Sequence, residues 1–422
     1  MQSWNKVKFG DISIIESGGT PSSKNDEYWS DGNILWVTLP DQKNKYIYDT
    51  FRKITLKGLQ KSSAKLLPKN TVIFSSRATI GEVSIAKKEL TTNQGSKNFI
   101  CDAEKIHYEF LFYLLKGHKH SIKSVASGAT FKEINKTVLS NYEVQLPPLP
   151  TQQKIASLLS NYDNLIENNT RRIHILEEMA QRIYKEWFVD FKYPGHENDE
   201  LVDSELGMIP EAWETGCVSH YYDVRSGFAF KSKDMVESGD YGIVKIKNIQ
   251  SDGLKLDPIQ YISEELIQDR AYNFELIEND LLIAMTGAQV GKVGLMPKSK
   301  DRFLLNQRVG KFFPKAEFET NNMFMYQLSK SNIFQISVVN IAQGAAQPNI
   351  SGTQIGSIQF PGPPSELILR FEKLCESIKD EVLVLNFKNQ KLNQTRDLLL
   401  PKLISGKIDV SDLDIDTSIL ND

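Results

Sequence analysis

The segment TGAQVGKV (286–293) has the glycines and the lysine of a phosphate-cradling loop, but not their spacing. Gly287 and Gly291 enclose three residues where such a loop needs four, and Val293 stands where a hydroxyl should reach magnesium. GGTP (18–21) is a glycine turn. Asp190-Phe191-Lys192 has the ending of a nuclease motif without the acid cluster that should precede it. LPPLP (146–150) and PGPP (361–364) lack the acid or amide and the aromatic with which an amino-methyltransferase grips a flipped base. No G-x-S-x-G elbow and no H-E-x-x-H zinc helix occurs. The six histidines do not cluster at ligand spacing. Cys101, Cys217 and Cys375 stand far apart, which argues against a disulfide framework and fits a reducing cytoplasm. The expectation is a chain without catalysis, cofactor or metal.

What the loops do carry is side chains that bond base edges. In the first half these are Lys24, Arg77, Thr79, Asn93, Gln94, Ser96, Lys97 and Lys132. In the second they are Arg225, Lys231, Lys245, Lys247, Asn248, Gln289, Lys292, Gln307, Arg308, Gln343 and Gln347. Arg and Lys pair with guanine, Asn and Gln with adenine, and both kinds also grip phosphates. Charge is uneven behind a net value of −3: residues 1–150 carry 21 Lys/Arg against 14 Asp/Glu, whereas 195–212 hold six acids and no base. A basic first domain suits a polyanionic partner.

Positioning these loops falls to a repeat with a period of about 210 residues. TVIFSSRATIGEVSIAK (71–87) answers DLLIAMTGAQVGKVGLMPK (280–298), and Asn93-Gln94 answers Asn306-Gln307. SGATFKEI (127–134) answers QGAAQPNI (343–350), and a proline cluster closes each copy at 146–153 and 360–367. A long heptad pattern follows each cluster. Ile155, Tyr162, Asn169, Leu176 and Ile183 recur every seven residues, as do Phe371, Ile378, Leu385, Leu392 and Leu399. Five heptads predict a coiled-coil helix of about 60 Å in each copy. Strand-forming runs at 34–39, 71–76, 82–86, 97–101, 243–248, 281–285 and 309–313, with helical stretches near 105–117 and 321–331, make the globules mixed α/β.

The expected fold class is therefore α/β (α+β): two similar globules separated by two long antiparallel helices, with pseudo-twofold symmetry. The expected division is 1–148 and 213–362 for the globules and 149–192 and 363–407 for the helices. An acidic connector (193–212) and an acidic tail (408–422) complete the chain. No run of 18 apolar residues is present, so no membrane-spanning helix is expected.

Over essentially its full length the chain resembles the specificity subunit of type I restriction–modification enzymes. The residues carrying the resemblance are LPPLPTQQKIASLLSNYDNLIENNTRRIHILEEMAQRIYKEWF (146–188), DSELGMIPEAW (203–213) and LNQTRDLLLPKLISGKIDV (392–410). The resemblance implies that each globule is a target recognition domain for one half of a bipartite, asymmetric sequence in double-stranded DNA. It further implies that the helices set the gap and dock two methyltransferase subunits, that two motor-endonuclease (restriction) subunits join, and that the site of action is cytoplasmic. S-adenosylmethionine, ATP and magnesium would serve those partner subunits. One departure is that GGTPSSK in the first copy becomes SGFAFKSK (226–233) in the second. Apolar residues near the helix ends, Ile183, Tyr184, Trp187, Phe188, Leu398, Leu400 and Ile404, are the expected partner-binding set. The competing readings are a scaffold that binds no nucleic acid and an enzyme with an unrecognised core.

Overall fold

A computed structural model of the chain describes residues 4–126, 133–251, 253–316, 318, 320–342 and 348–420. They fall into two compact units that do not follow chain order: 1–164 with 393–422, and 165–392. Each unit therefore takes one part of each long helix. The first helix runs Leu149–Phe188 and the second Ser365–Ile404, forty residues apiece. Prolines directly before each start are compatible with a helix entry, since their fixed φ suits the first turn. Beyond the ends, Phe191, Gly195 and Gly406 adopt positive φ, which breaks the helical path.

In the first unit a five-stranded sheet has the order Ser13–Ser17, Ser96–Cys101, Val72–Ser75, Val83–Ala86, Tyr46–Ile47. All its pairings are antiparallel except the last. Ile34–Val37 runs parallel to Thr91–Thr92 in a smaller sheet. Every residue of Val72–Ser75 and of Val83–Ala86 is buried, so these strands read as continuous apolar runs rather than alternating ones. Helix Tyr108–Gly117 lies against them, and Ile155, Leu159, Leu403 and Ile404 of the long helices join the same core.

The second unit repeats the plan. Its main sheet has the order Tyr222–Ser226, Val309–Pro314, Leu281–Ala284, Val293–Leu295, and Tyr241–Val244 runs parallel to Arg302–Leu305. Glu214–Cys217 pairs with Gln359–Gly362 as Asn5–Lys8 pairs with Glu143–Leu146. Two predicted details change. The run 243–248 is a strand only to Val244, and Ile246–Asn248 turns into a 3-10 helix capped by Asn248 Oδ1 on Lys245 N at 3.0 Å. The acidic connector contains a hairpin, Leu201–Ser204 against Gly207–Pro210, which hydrophobic patterning alone does not reveal.

The heptad positions form a seam within each unit. Phe371, Cys375, Val382, Leu385 and Ala180 are buried in the second, Ile155, Leu159 and Leu403 in the first. Pairing within the second unit is antiparallel: Asn169 Nδ2 donates to Asn389 Oδ1 at 2.9 Å while Phe188 meets Phe371, ring centroids 5.2 Å apart. The two seam asparagines thus satisfy each other, an arrangement that fixes register because any slip leaves both amides unpaired.

Candidate nucleic-acid interface

The repeat survives at the level of single backbone hydrogen bonds. In the first unit Gly18 N donates to Ser96 O (3.2 Å), Gly19 N to Thr92 O (2.9 Å) and Asn93 N to Val37 O (2.9 Å). Their counterparts are Gly227 N to Val309 O (3.0 Å), Phe228 N to Leu305 O (2.8 Å) and Asn306 N to Val244 O (3.0 Å). Likewise Ser76 N donates to Gly95 O and Ile134 N to Ser76 O, matched by Met285 N to Arg308 O and Ile350 N to Met285 O. With the backbone of these loops tied internally, the side chains are what differ between the units. The turn after each central strand needs left-handed residues, Ala78 (φ 58°) and Gly81 (φ 96°) in one copy and Gly287 (φ 70°) and Gly291 (φ 84°) in the other. For the non-glycine Ala78 that conformation costs about 1–2 kcal/mol, strain of the kind that gathers where a loop must present its side chains.

In the first unit this frame encloses a cleft of about 170 Å³. Arg77, Asn93, Gln94 and Ser96, which lie up to 19 positions apart, line it together. Leu39 and Gln42 complete its wall; neither stood among the expected contacts. The available signal was the Thr38-x-x-Asp41 spacing, a capping pattern that folds Leu39–Asp41 into a 3-10 turn and sets Gln42 at its end. Arg77 Nη2 donates to Gln94 O at 3.0 Å and lies 3.7 Å from the Glu133 carboxylate. Lys97 does not reach the cleft surface: its side chain is buried, 3.6 Å from Glu133. Burial pushes its pKa down, with Glu133 pulling the other way. Lys24 and Thr79 are exposed on neighbouring turns, and Lys132 lies outside the described residues.

In the second unit Gln307 and Arg308 are exposed on the matching loop, and Lys292 and Gln289 are half-buried beside the turn. Arg225 is exposed, 3.1 Å from Asp223, with its guanidinium 5.0 Å over the Phe313 ring. Lys231 and Lys247 are exposed, whereas Lys245 Nζ is held by Gln260 Oε1 at 2.6 Å. Asn248 is buried, and its amide is spent on Lys245 N, Lys255 O and Pro258 O. Its role is to shape the turn. Gln343 and Gln347 lie outside the described residues.

The expected partner-binding set needs correction. Tyr184, Trp187 and Phe188 are core residues of the second unit, packed with Phe371, Phe324 and Trp213. Ile404 is buried in the first unit, Ile183 and Leu400 are half-buried, and Leu398 alone of the set is exposed, at 66%. The physical reason is that each helix end supplies the apolar floor of the globule beside it. Other helix residues are left bare, among them Leu165, Ile175 and Met179 on the first helix and Leu369, Leu374 and Val384 on the second, each about half exposed.

Residues 1–178 and 210–368 match the family described as the type I restriction modification DNA specificity domain. Among curated relatives, the chain is 32% identical to the type I restriction enzyme MjaIX specificity subunit of Methanocaldococcus jannaschii, over 97% of this chain and 94% of the relative. It is 23% identical to the HindI specificity subunit of Haemophilus influenzae, over 97% of this chain and 100% of that one. Among solved structures it is similar in fold to the type I restriction–modification S subunit from M. genitalium. There the TM-score is 0.57 at 16% identity, over 95% of this chain and 96% of that one.

Proposed function

The chain belongs to the type I restriction–modification DNA specificity family, and from that premise we propose that each unit reads one half of a bipartite target in duplex DNA. It is the DNA-recognition subunit of such a system and not its catalytic one. The observation that carries the half-site reading is the duplicated loop frame: five matching backbone bonds in each unit, under side chains that differ. A common frame with variable side chains is what two independent readers of different sequences require. Exposed and half-buried Arg, Lys, Asn and Gln on that frame supply both phosphate and base-edge contacts.

On this reading two methyltransferase subunits and two motor-endonuclease subunits complete the complex in the cytoplasm, and S-adenosylmethionine, ATP and magnesium act in those partners. Leu398 and the bare stripe Leu165, Ile175 and Met179 are the docking candidates on the helices. Among the described residues no group of side chains could hold a metal ion, and no helix is long and apolar enough to cross a membrane.

The direct test is exchange of residues 1–145 for the equivalent domain of a relative, with the modified sites mapped by methylation-sensitive sequencing. One half of the target is expected to change and the other to persist; a swap that rewrites both halves overturns independent reading. The helices are proposed to set the gap. Seven residues keep the seam in phase and add about 10 Å, or about three base pairs of duplex. A heptad inserted in each helix at facing positions, near Glu177 and near Glu381, is therefore expected to leave both half-sites intact with a longer spacer, or to abolish binding if the added rotation is not absorbed. An unchanged spacer in an active complex excludes the helices as the ruler.

A further inference from the structure

The cleft of the first unit has a polarity fixed by its own hydrogen bonds. Asn93 Oδ1 accepts from Gly95 N at 3.0 Å and from Ser96 Oγ at 3.3 Å, so both of its lone-pair directions are used and only the Nδ2 donors remain. A backbone N–H can only donate, which settles the orientation of that amide. Gln94 meets the Thr20 hydroxyl, which can donate or accept, so that amide turns to suit whatever the cleft holds. Arg77 spends Nη2 on Gln94 O, its Nε is buried, and Nη1 is left to donate. Asn93 and Arg77 thus offer donors alone, and Gln94 can add a third. Gln42, a side chain only 6% exposed, has an Oε1 with no partner among the described residues.

We infer that this cleft reads a G·C pair, its donors meeting the N7 and O6 acceptors of guanine in the major groove. The inference rests on the half-site reading above. Guanine presents acceptors alone on that edge, whereas adenine sets an amino donor beside N7, which would face another donor here. Gln42 Oε1, buried and unpartnered in the same wall, would have to turn outward to accept the amino group of the paired cytosine. A phosphate also presents acceptors alone, but two features disfavour it. The Glu133 carboxylate lies 3.7 Å from Arg77 and 3.6 Å from Lys97, which offsets positive charge beside the cleft. Leu39 and Ala78 in the lining offer apolar contact to a flat ring. The second unit is not preset in this way. Thr286 replaces Arg77, and the Asn306 and Gln307 side chains make no hydrogen bond among the described residues, so its amides are free to turn either way.

The test uses the assembled methylating complex and duplexes in which each guanine of the first unit's half-site is replaced singly by 7-deazaguanine, which still pairs but has no N7 acceptor. One position is expected to lose about tenfold or more in affinity. Arg77→Ala should lose a similar factor on the natural duplex and nothing further on that substituted one, while Arg77→Lys checks that any loss is not misfolding. Absence of a sensitive guanine overturns the inference. So does an Arg77→Ala complex weakened equally on all sequences with a shallower salt dependence, the signature of a phosphate grip. A complex whose natural target binds no better than random duplex overturns the half-site reading itself.

Discussion

Lys45→Met is expected to lower the stability of the first unit by about 3–5 kcal/mol, because it leaves a buried carboxylate without its cation. Lys45 Nζ lies 2.7 Å from Glu109 Oε2 and within hydrogen-bond reach of Ser160 Oγ (2.8 Å) and Tyr113 OH (3.0 Å). The side chains of Lys45 and Glu109 are 8% and 2% exposed. Tyr46 OH donates to the other Glu109 oxygen at 2.9 Å. The same network reaches both long helices: Tyr113 OH donates to Asp163, whose other oxygen takes Arg396 Nη1 at 2.6 Å. Removing one partner of such a pair costs far more than replacing both, since the orphaned charge keeps its desolvation penalty. Lys45→Met/Glu109→Leu is therefore expected to recover most of the loss. Calorimetric midpoints of the wild type, the single and the double variant decide the matter. Equal losses in both variants would mean that the lysine acts by packing its stem, not by its charge. The coupling also carries a functional expectation, because Lys45 lies three residues beyond Gln42 in the cleft wall and its backbone oxygen accepts from Ile85 N at 2.7 Å.

The second large effect separates core from interface. Phe188→Ala should cost the second unit about 3–5 kcal/mol, the usual range for emptying a buried aromatic site. Its ring lies 4.9 Å from that of Phe324, 5.2 Å from Phe371 and 6.0 Å from Trp213, and it is 4% exposed. Leu398→Asp, at a site 66% exposed, should leave the melting midpoint unchanged and, on the proposed docking role, weaken association with the methyltransferase subunit. Thermal melts of the two variants, set beside a pull-down with that partner, test both statements. A Phe188→Ala chain that melts normally yet loses its partner would return this residue to the interface.

Amphipathic periodicity alone determined the two long helices. A heptad summed over five turns of the pattern outweighs any single exception, so Ile155 to Trp187 and Phe371 to Leu403 declare their helices with no structure in hand. The repeat was equally legible, because Gly81 and Gly291, or Asn93 and Asn306, occupy turns whose backbone admits few alternatives. From these followed the division into two similar globules, whereas the family came from the resemblance carried by residues 146–188, 203–213 and 392–410. What one position does could not be read in this way. Lys97 and Asn248 have the side chains of DNA contacts, yet sheet packing buries the first and a 3-10 turn consumes the second. Phe188 and Ile404 have the apolar character of an interface, yet each is the floor of a neighbouring core. The cleft itself joins Gln42, Arg77 and Asn93, which meet only because Ile34–Val37 and Val72–Ser75 end, and Ser96–Cys101 begins, on the same side of the first unit. Periodicity is a property of adjacent residues and is written along the chain. Burial and polarity are set by residues distant in sequence, and tertiary contact decides them.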